Sequence, residues 1–253
     1  MSIDHKIIDI TTSNVDKYDL FCKKSKKEAE CYQNKLSWFK QEYRKGLRIK
    51  LLQIKEPKGY TSRGFIEYVP IENAWRAVNG NHYLLIHCLW VVGKWKKKGL
   101  GTKLIKECLS DAKKQGKNGV VMISKGKWLA HNKIFIKNGF VSVGEHDGFE
   151  ILVKKLKNAP NPSFPEFEKR AEKYSKGITV LRADQCPYAI DAAKIVKEFA
   201  ARKKIPFKEV ILKSSKEAQK LSPTPYGTYA LTQDGKLISY TYHLEKELVK
   251  LIK

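Results

Sequence analysis

The segment Val91-Val92-Gly93-Lys94-Trp95-Lys96-Lys97-Lys98-Gly99-Leu100-Gly101-Thr102 carries the residue types of an anion cradle. It joins an apolar run to an amphipathic one. Gly99 and Gly101 let the backbone approach a ligand without Cβ obstruction. Backbone N–H groups at a helix start present the positive end of the helix dipole, and Lys96, Lys97 and Lys98 add charge around them. A pyrophosphate suits such a turn, although a plain strand–helix turn can have the same glycine spacing. The glycines lack the longer spacing and the Lys-Ser/Thr pair of a triphosphate loop, and Leu104 stands where a dinucleotide fingerprint needs its third glycine.

Two side chains near this turn have proton-transfer chemistry. His87 lies four residues before Val91, and strand alternation puts both on one face with Leu85 and Leu89, with Cys88 opposite in the core. A histidine is a suitable acceptor near neutral pH, and Glu67 is the other candidate base, directly or through water. The structural alternatives are a packed strand histidine and a solvated carboxylate. Farther on, Gln185-Cys186-Pro187-Tyr188-Ala189 sets a thiol before a helical run, where the dipole favours the thiolate. The cysteines at 22, 31, 88, 108 and 186 are odd in number and scattered, which argues against a disulfide framework and a zinc site.

The elements that must position these residues follow from periodicity. Strands are expected at Lys6–Ile10, Leu47–Ile54, Gly64–Val69, Ala74–Val78, Gly119–Ile123, Phe140–Gly144 and Phe149–Leu156. Tyr83–Val92, the most apolar run, should be central. Helices are expected at Ser25–Tyr43, Gly101–Gln115 and Trp128–Asn138. Asn158–Pro165 holds three prolines in six residues, so it reads as a linker. Beyond it come a short helix at Phe167–Tyr174, a strand at Ile178–Leu181, a helix at Tyr188–Arg202, a strand at Phe207–Leu212 and a short helix at Ser215–Leu221. A hairpin around Asp234-Gly235 joins Thr228–Leu231 to Lys236–Thr241, and Leu244–Ile252 closes as a helix.

The composition narrows the class of protein. A hydrophobic fraction of 42% is that of a folded chain, and no apolar run approaches a membrane span. The N-terminus lacks the apolar stretch of a secretory signal, so the expected location is the cytoplasm. The net charge of +24 is almost all lysine, since Arg occupies only 44, 48, 63, 76, 170, 182 and 202. Nucleic-acid recognition usually draws on arginine for bidentate phosphate contacts. A solvated lysine surface is therefore the favoured reading, and a nucleic-acid partner the minor one.

The glycine turn resembles the signature of the GNAT N-acetyltransferases, Arg/Gln-x-x-Gly-x-Gly/Ala, as Lys96-Lys97-Lys98-Gly99-Leu100-Gly101. Lys137-Asn138-Gly139-Phe140 resembles that family's second block. The resemblance spans residues 1–156 and implies a mixed-sheet α/β acyltransferase domain. It implies a strand that splays at Trp90, Val91 and Val92 to meet the pantetheine arm of acetyl-CoA, while residues 96–102 hold the pyrophosphate. The implied reaction moves an acetyl group to an amine of a small molecule or peptide. Lys96 replaces the usual Arg or Gln. Phe135 occupies the place of a frequent proton-donating Tyr, and Trp128 that of an Asn that often binds the coenzyme. Both are expected at the coenzyme site. The Phe135 departure leaves a coenzyme-binding sensor without catalysis as the alternative.

The chain after the linker and short helix (157–177) resembles, over 178–253, a small thioredoxin-like α/β domain. Cys186-Pro187-Tyr188-Ala189 is close to the glutaredoxin motif with its second cysteine replaced, and Pro225 matches that fold's cis-proline. Monothiol exchange, thiol recognition or a structural relic are its implied roles. The pairing of the two parts resembles the YoaP-type acetyltransferases. Gly64-Phe65-Ile66-Glu67-Tyr68, His87–Val92 and Ser222–Gly227 carry that likeness.

Overall fold

The structure, a computed structural model, describes residues 3–126 and 131–252. The chain forms two compact units: Met1–Ser25 with Phe39–Ala74 and Asn79–Phe164, and Lys26–Trp38 with Trp75–Val78 and Pro165–Lys253. Two segments from the first half thus cluster with the C-terminal unit. The proline seam is strapped to the first unit, not free. Ser163 and Asn79 exchange backbone hydrogen bonds of 2.8 and 3.0 Å, and Tyr83 Oη donates to Pro160 O at 2.8 Å.

In the first unit β1 (His5–Ile10), β2 (Arg48–Glu56), β3 (Gly59–Pro70), β4 (Tyr83–Val91), β5 (Gly119–Ser124), β6 (Val141–His146) and β7 (Phe149–Lys155) form a seven-stranded sheet of order β1-β2-β3-β4-β5-β7-β6. Only β4 and β5 pair in parallel. Every residue of β5 is buried, as expected of a strand covered on both faces. Helix α1 (Glu30–Tyr43) precedes β2, and α2 (Leu100–Lys114) crosses from β4 to β5. The apolar side of α2, at Leu100, Leu104, Ile105, Cys108 and Ala112, has helical spacing and packs on β3, β4 and β5.

A polar chain is set into this packing. Tyr68 Oη donates to Asp111 Oδ2 at 2.5 Å, and Lys50 Nζ lies 3.1 Å from the same oxygen and 2.7 Å from Asp9 Oδ2. Burial pulls the Lys50 ammonium down, but its hydrogen bonds to Asp9 and Asp111 outweigh this and hold it above its usual range.

In the second unit β8 (Ile178–Arg182), β9 (Phe207–Ile211), β10 (Tyr229–Gln233) and β11 (Lys236–Ser239) form a sheet of order β11-β10-β8-β9. β8 and β9 are parallel, and the other pairs are antiparallel. The first unit's third helix is α3 (Asn132–Lys137); α4 (Tyr188–Arg202), α5 (Ser215–Leu221) and α6 (Glu245–Leu251) belong to the second. The hairpin turns at Asp234-Gly235 with φ of 47° and 79°, the pair of left-handed residues a two-residue turn requires.

Four expected elements differ. Ala74–Val78 is buried but is no strand. Arg76, on this segment, donates to Tyr226 O and Thr228 Oγ1 at 3.0 Å and stacks on the Tyr226 ring, so side-chain bonds replace a ladder. Helix α1 starts at Glu30 and not Ser25, because a turn with Ala29 N bonded to Lys26 O comes first. Phe167–Tyr174 shrinks to one 3-10 turn at Ala171–Tyr174. The helix expected at Trp128–Asn138 is described only as Asn132–Lys137, since residues 127–130 lie outside the described set.

Candidate coenzyme and acyl-transfer site

The parallel ladder between β4 and β5 runs from Tyr83↔Gly119 to Ile86↔Met122 and stops. β4 continues to Val91 on the β3 ladder and β5 to Ser124 on the β7 ladder, so the two central strands part from His87 onward. An opening of this kind in mid-sheet exposes backbone and side chains to a ligand that lies along the strand. Trp90 reaches the surface at its outer end, 44% exposed, while Val91 is half-buried.

Where the strands part, β4 has a bulge. Glu67 pairs with Cys88 and Tyr68 with Ile86, leaving His87 as the extra residue. Strict alternation therefore fails at this point. Leu85 and Leu89 are partnered by Val69 and Ile66 and lie on opposite faces, contrary to the period-two expectation. Cys88 shares the Glu67 face and is half-buried, not a core residue. The bulge turns the His87 imidazole to Glu67, with Nδ1 3.1 Å from Oε1 and both residues fully buried. The two side chains read as rival bases are one hydrogen-bonded pair.

The glycine turn leads from β4 into α2 through a 3-10 turn at Gly93–Trp95. Lys97 and Gly99 are left-handed, with φ of 60° and 76°. Gly99 is the N-cap of α2 and supplies no side chain to cap it, so the N–H groups of the first helical turn face outward for an anion. A Cβ built on Gly99 meets nothing within 4 Å, so the space beside this turn is open. Lys96, Lys97 and Lys98 are exposed. This donor set fits a pyrophosphate. Gly101 differs: its Cβ would stand 2.7 Å from Ile134 Cδ1, so this glycine serves the approach of α2 to α3. Thr102 Oγ1 accepts from Asn138 Nδ2 at 3.2 Å and joins the same two helices. Leu100 is buried.

The family model for the "Acetyltransferase (GNAT) family" matches residues 30–140. A Bacillus subtilis (strain 168) protein named "Uncharacterized N-acetyltransferase YoaP" is 30% identical over 251 residues, covering 97% of both chains. The chain belongs to the GNAT acetyltransferase family. Solved structures similar to it include the PaiA N-acetyltransferase of Thermoplasma acidophilum in complex with coenzyme A. That protein is 16% identical with a TM-score of 0.41, covering 61% of this chain and 99% of that one. Another is the GNAT family N-acetyltransferase YhbS of Escherichia coli in complex with CoA. It is 15% identical with a TM-score of 0.43, covering 66% of this chain and 92% of that one.

Against the GNAT pattern, Phe135 sits in the core. It is fully buried and meets Phe140 edge-on at 5.3 Å, an apolar packing role rather than the ligand contact expected from its place in the motif. Trp128 lies outside the described residues. A cluster that sequence reading missed surrounds the turn: Arg63 Nε and Nη2 grip Glu56 at 3.1 and 2.5 Å, and Trp95 Nε1 donates to Glu56 Oε1 at 3.1 Å. Its only sequence signal is a rare arginine seven residues from a glutamate across a tight hairpin.

Cys186 stands just before α4, as expected, with its thiol half-buried. Burial pushes it up, outweighing the Tyr242 hydroxyl, the Tyr188 N–H and the charges of Lys35 and Arg76. The Tyr242 hydroxyl is itself pushed far up by burial. No peptide bond among the described residues is cis, so the cis-proline implied for Pro225 is absent. Cys31 and Cys108 are buried, and Cys22 is half-buried.

Proposed function

We propose that the first unit is an acetyl-CoA-dependent N-acetyltransferase acting on a primary amine of a small molecule or peptide, in the cytoplasm. The observation that carries this reading is the parting of β4 from β5 beside an uncapped, glycine-headed helix. Acetyl-CoA supplies the acyl thioester. Residues 96–102 hold its pyrophosphate through backbone amides, and Trp90, Val91 and Val92 offer the strand edge to its pantetheine arm. His87 serves as the general base for the acceptor amine, and Glu67, hydrogen-bonded to its Nδ1, orients the ring. A phenylalanine at 135 can donate no proton, and a thiol of pKa about 8.5 leaves acceptably as the anion.

A second reading, a coenzyme sensor without turnover, is favoured by the apolar Phe135 alone. Incubation with acetyl-CoA and a panel of amines, followed by thiol release, separates the two. Acetylated product at a rate above the amine-free control supports the enzyme, and coenzyme binding without product supports the sensor. For the second unit we propose a thioredoxin-like fold, supported by its strand order β11-β10-β8-β9 and the helix between the parallel pair. Its raised Cys186 thiol favours a recognition or packing role over thiol exchange.

A further inference from the structure

The β2–β3 hairpin has a second bulge. Leu52 pairs with Gly64 and Gln53 with Ser62, leaving Arg63 as the extra residue of β3. A bulged residue is out of the ladder, so its carbonyl and side chain can be aimed elsewhere. The Arg63 carbonyl accepts the Val92 N–H at 2.9 Å, one residue past the end of β4. Its guanidinium grips the Glu56 carboxylate in fork geometry, which holds that carboxyl below its usual range. The same carboxylate accepts the Trp95 indole N–H, and the ammonium groups of Lys94 and Lys98 stand over the Trp95 ring at 5.1 and 5.4 Å. Residues 92–98 are thus fastened by backbone at one end, to the carbonyl of the bulged Arg63, and by the Trp95 indole in the middle, to the Glu56 carboxylate that Arg63 grips.

The segment needs such an anchor. Lys94, Lys96, Lys97 and Lys98 repel one another, and no side chain caps the helix they lead into. We infer that Glu56 is a positioning residue that holds the glycine turn in its coenzyme-competent shape before the coenzyme arrives. The inference rests on the reading of residues 96–102 as the pyrophosphate loop. An anchor of this kind acts through preorganisation, so its loss appears in coenzyme affinity and not in the chemical step.

The test uses the full chain, calorimetric titration with coenzyme A, and initial rates at saturating acetyl-CoA with the fastest amine of the panel. Glu56→Ala is expected to raise the Kd for coenzyme A about tenfold with kcat within about twofold. Trp95→Phe, which keeps the ring and removes the N–H, is expected to raise it about threefold. The double variant should bind no more weakly than Glu56→Ala, because both break one contact. Glu56→Gln keeps one carbonyl acceptor but loses the charge and one half of the fork, so it should fall between the unaltered protein and Glu56→Ala. Unchanged affinity in Glu56→Ala while Gly99→Val loses binding overturns the anchor and keeps the loop. Unchanged affinity in both overturns the loop reading as well. A fall in kcat with unchanged Kd also overturns the anchor. If Glu56→Ala does not fold, Trp95→Phe decides, and full affinity there overturns it.

Discussion

Gly99→Val tests the coenzyme loop at one atom. Gly99 has φ of 76° and ψ of −6°, where a side chain costs about 1–2 kcal/mol through its clash with the backbone. The built Cβ has no neighbour within 4 Å, so no packing term adds to that cost. The expected loss of stability is therefore about 1–2 kcal/mol, a shift of a few degrees in Tm at roughly 2–4 °C per kcal/mol for a chain of this size. Coenzyme affinity should fall at least tenfold, about 1.4 kcal/mol, because a branched side chain at the helix N-cap hinders the close backbone approach of the pyrophosphate proposed for this turn.

Gly101→Ala is the control. Its Cβ is directed at Ile134 Cδ1, the far end of a flexible side chain that can turn aside. Alanine within a helix also returns about 1 kcal/mol relative to glycine. This variant should keep its Tm within a few degrees and its coenzyme Kd within about threefold. Melting curves and calorimetric titration with coenzyme A on both proteins give the comparison. A folded Gly99→Val that binds with unchanged Kd refutes the loop, and so does a Gly101→Ala that loses more affinity than Gly99→Val.

His87→Gln is expected to lower kcat about 10²-fold while sparing coenzyme affinity, and Glu67→Gln to lower it less, since it acts through His87. Full rate in both variants would remove the pair from the proton path. Tyr68→Phe should cost about 1 kcal/mol in urea unfolding, because Asp111 keeps its ion pair with Lys50; a loss above about 3 kcal/mol would mean the hydroxyl holds the network together. Cys186 labelling by iodoacetamide should rise only above the ordinary thiol range near pH 8.5, and an apparent pKa below that value would contradict the upward shift of this half-buried thiol. The sign for stability follows. The folded thiol binds its proton more tightly than the unfolded one, so the contribution is complete below about pH 8.5 and is lost as pH rises through the folded value. Cys186→Ala should flatten the alkaline limb of a pH–stability curve.

Most of the chemistry around the turn was legible because it depends on composition and order. The apolar run of β4, the glycine turn and the helical spacing of α2 are local patterns, as is the Asp234-Gly235 hairpin. The likeness carried by Lys96–Gly101 led to the family. Register is not local. A bulge adds one residue without a compositional mark, so the alternation argument placed Leu85 and Leu89 on one face and could not reveal that His87 and Glu67 are a hydrogen-bonded pair. Arg63 was hidden for the same reason. The dipole argument for Cys186 considers the helix start alone, whereas the thiol is half-buried and burial, a tertiary property, pushes it up against its hydrogen bonds. Likewise Ala74–Val78 looked like a strand because it is apolar, and Arg76 showed where its polar groups were satisfied.

The two bulges bracket one stretch of sheet. Between Arg63 on β3 and His87 on β4, the pairs Gly64↔Val91, Phe65↔Trp90, Ile66↔Leu89 and Glu67↔Cys88 form an unbroken ladder. This is also the stretch of β4 that has left β5, so β3 is its ladder partner on that side of the sheet. A strand paired on one side would bend easily. Here Ile66 and Glu67 are fully buried, and Phe65 is stacked on Phe21 at 4.9 Å, which stiffens the supporting strand. At about 3.4 Å per residue the four pairs span roughly 10 Å, with Arg63 just beyond one end and His87 just beyond the other. The glycine turn proposed to grip the coenzyme and the imidazole proposed to take the proton are therefore held at opposite ends of one paired stretch of strand. A change that shifts the β3–β4 register by one residue would move both at once and turn Glu67 to the other face, away from His87.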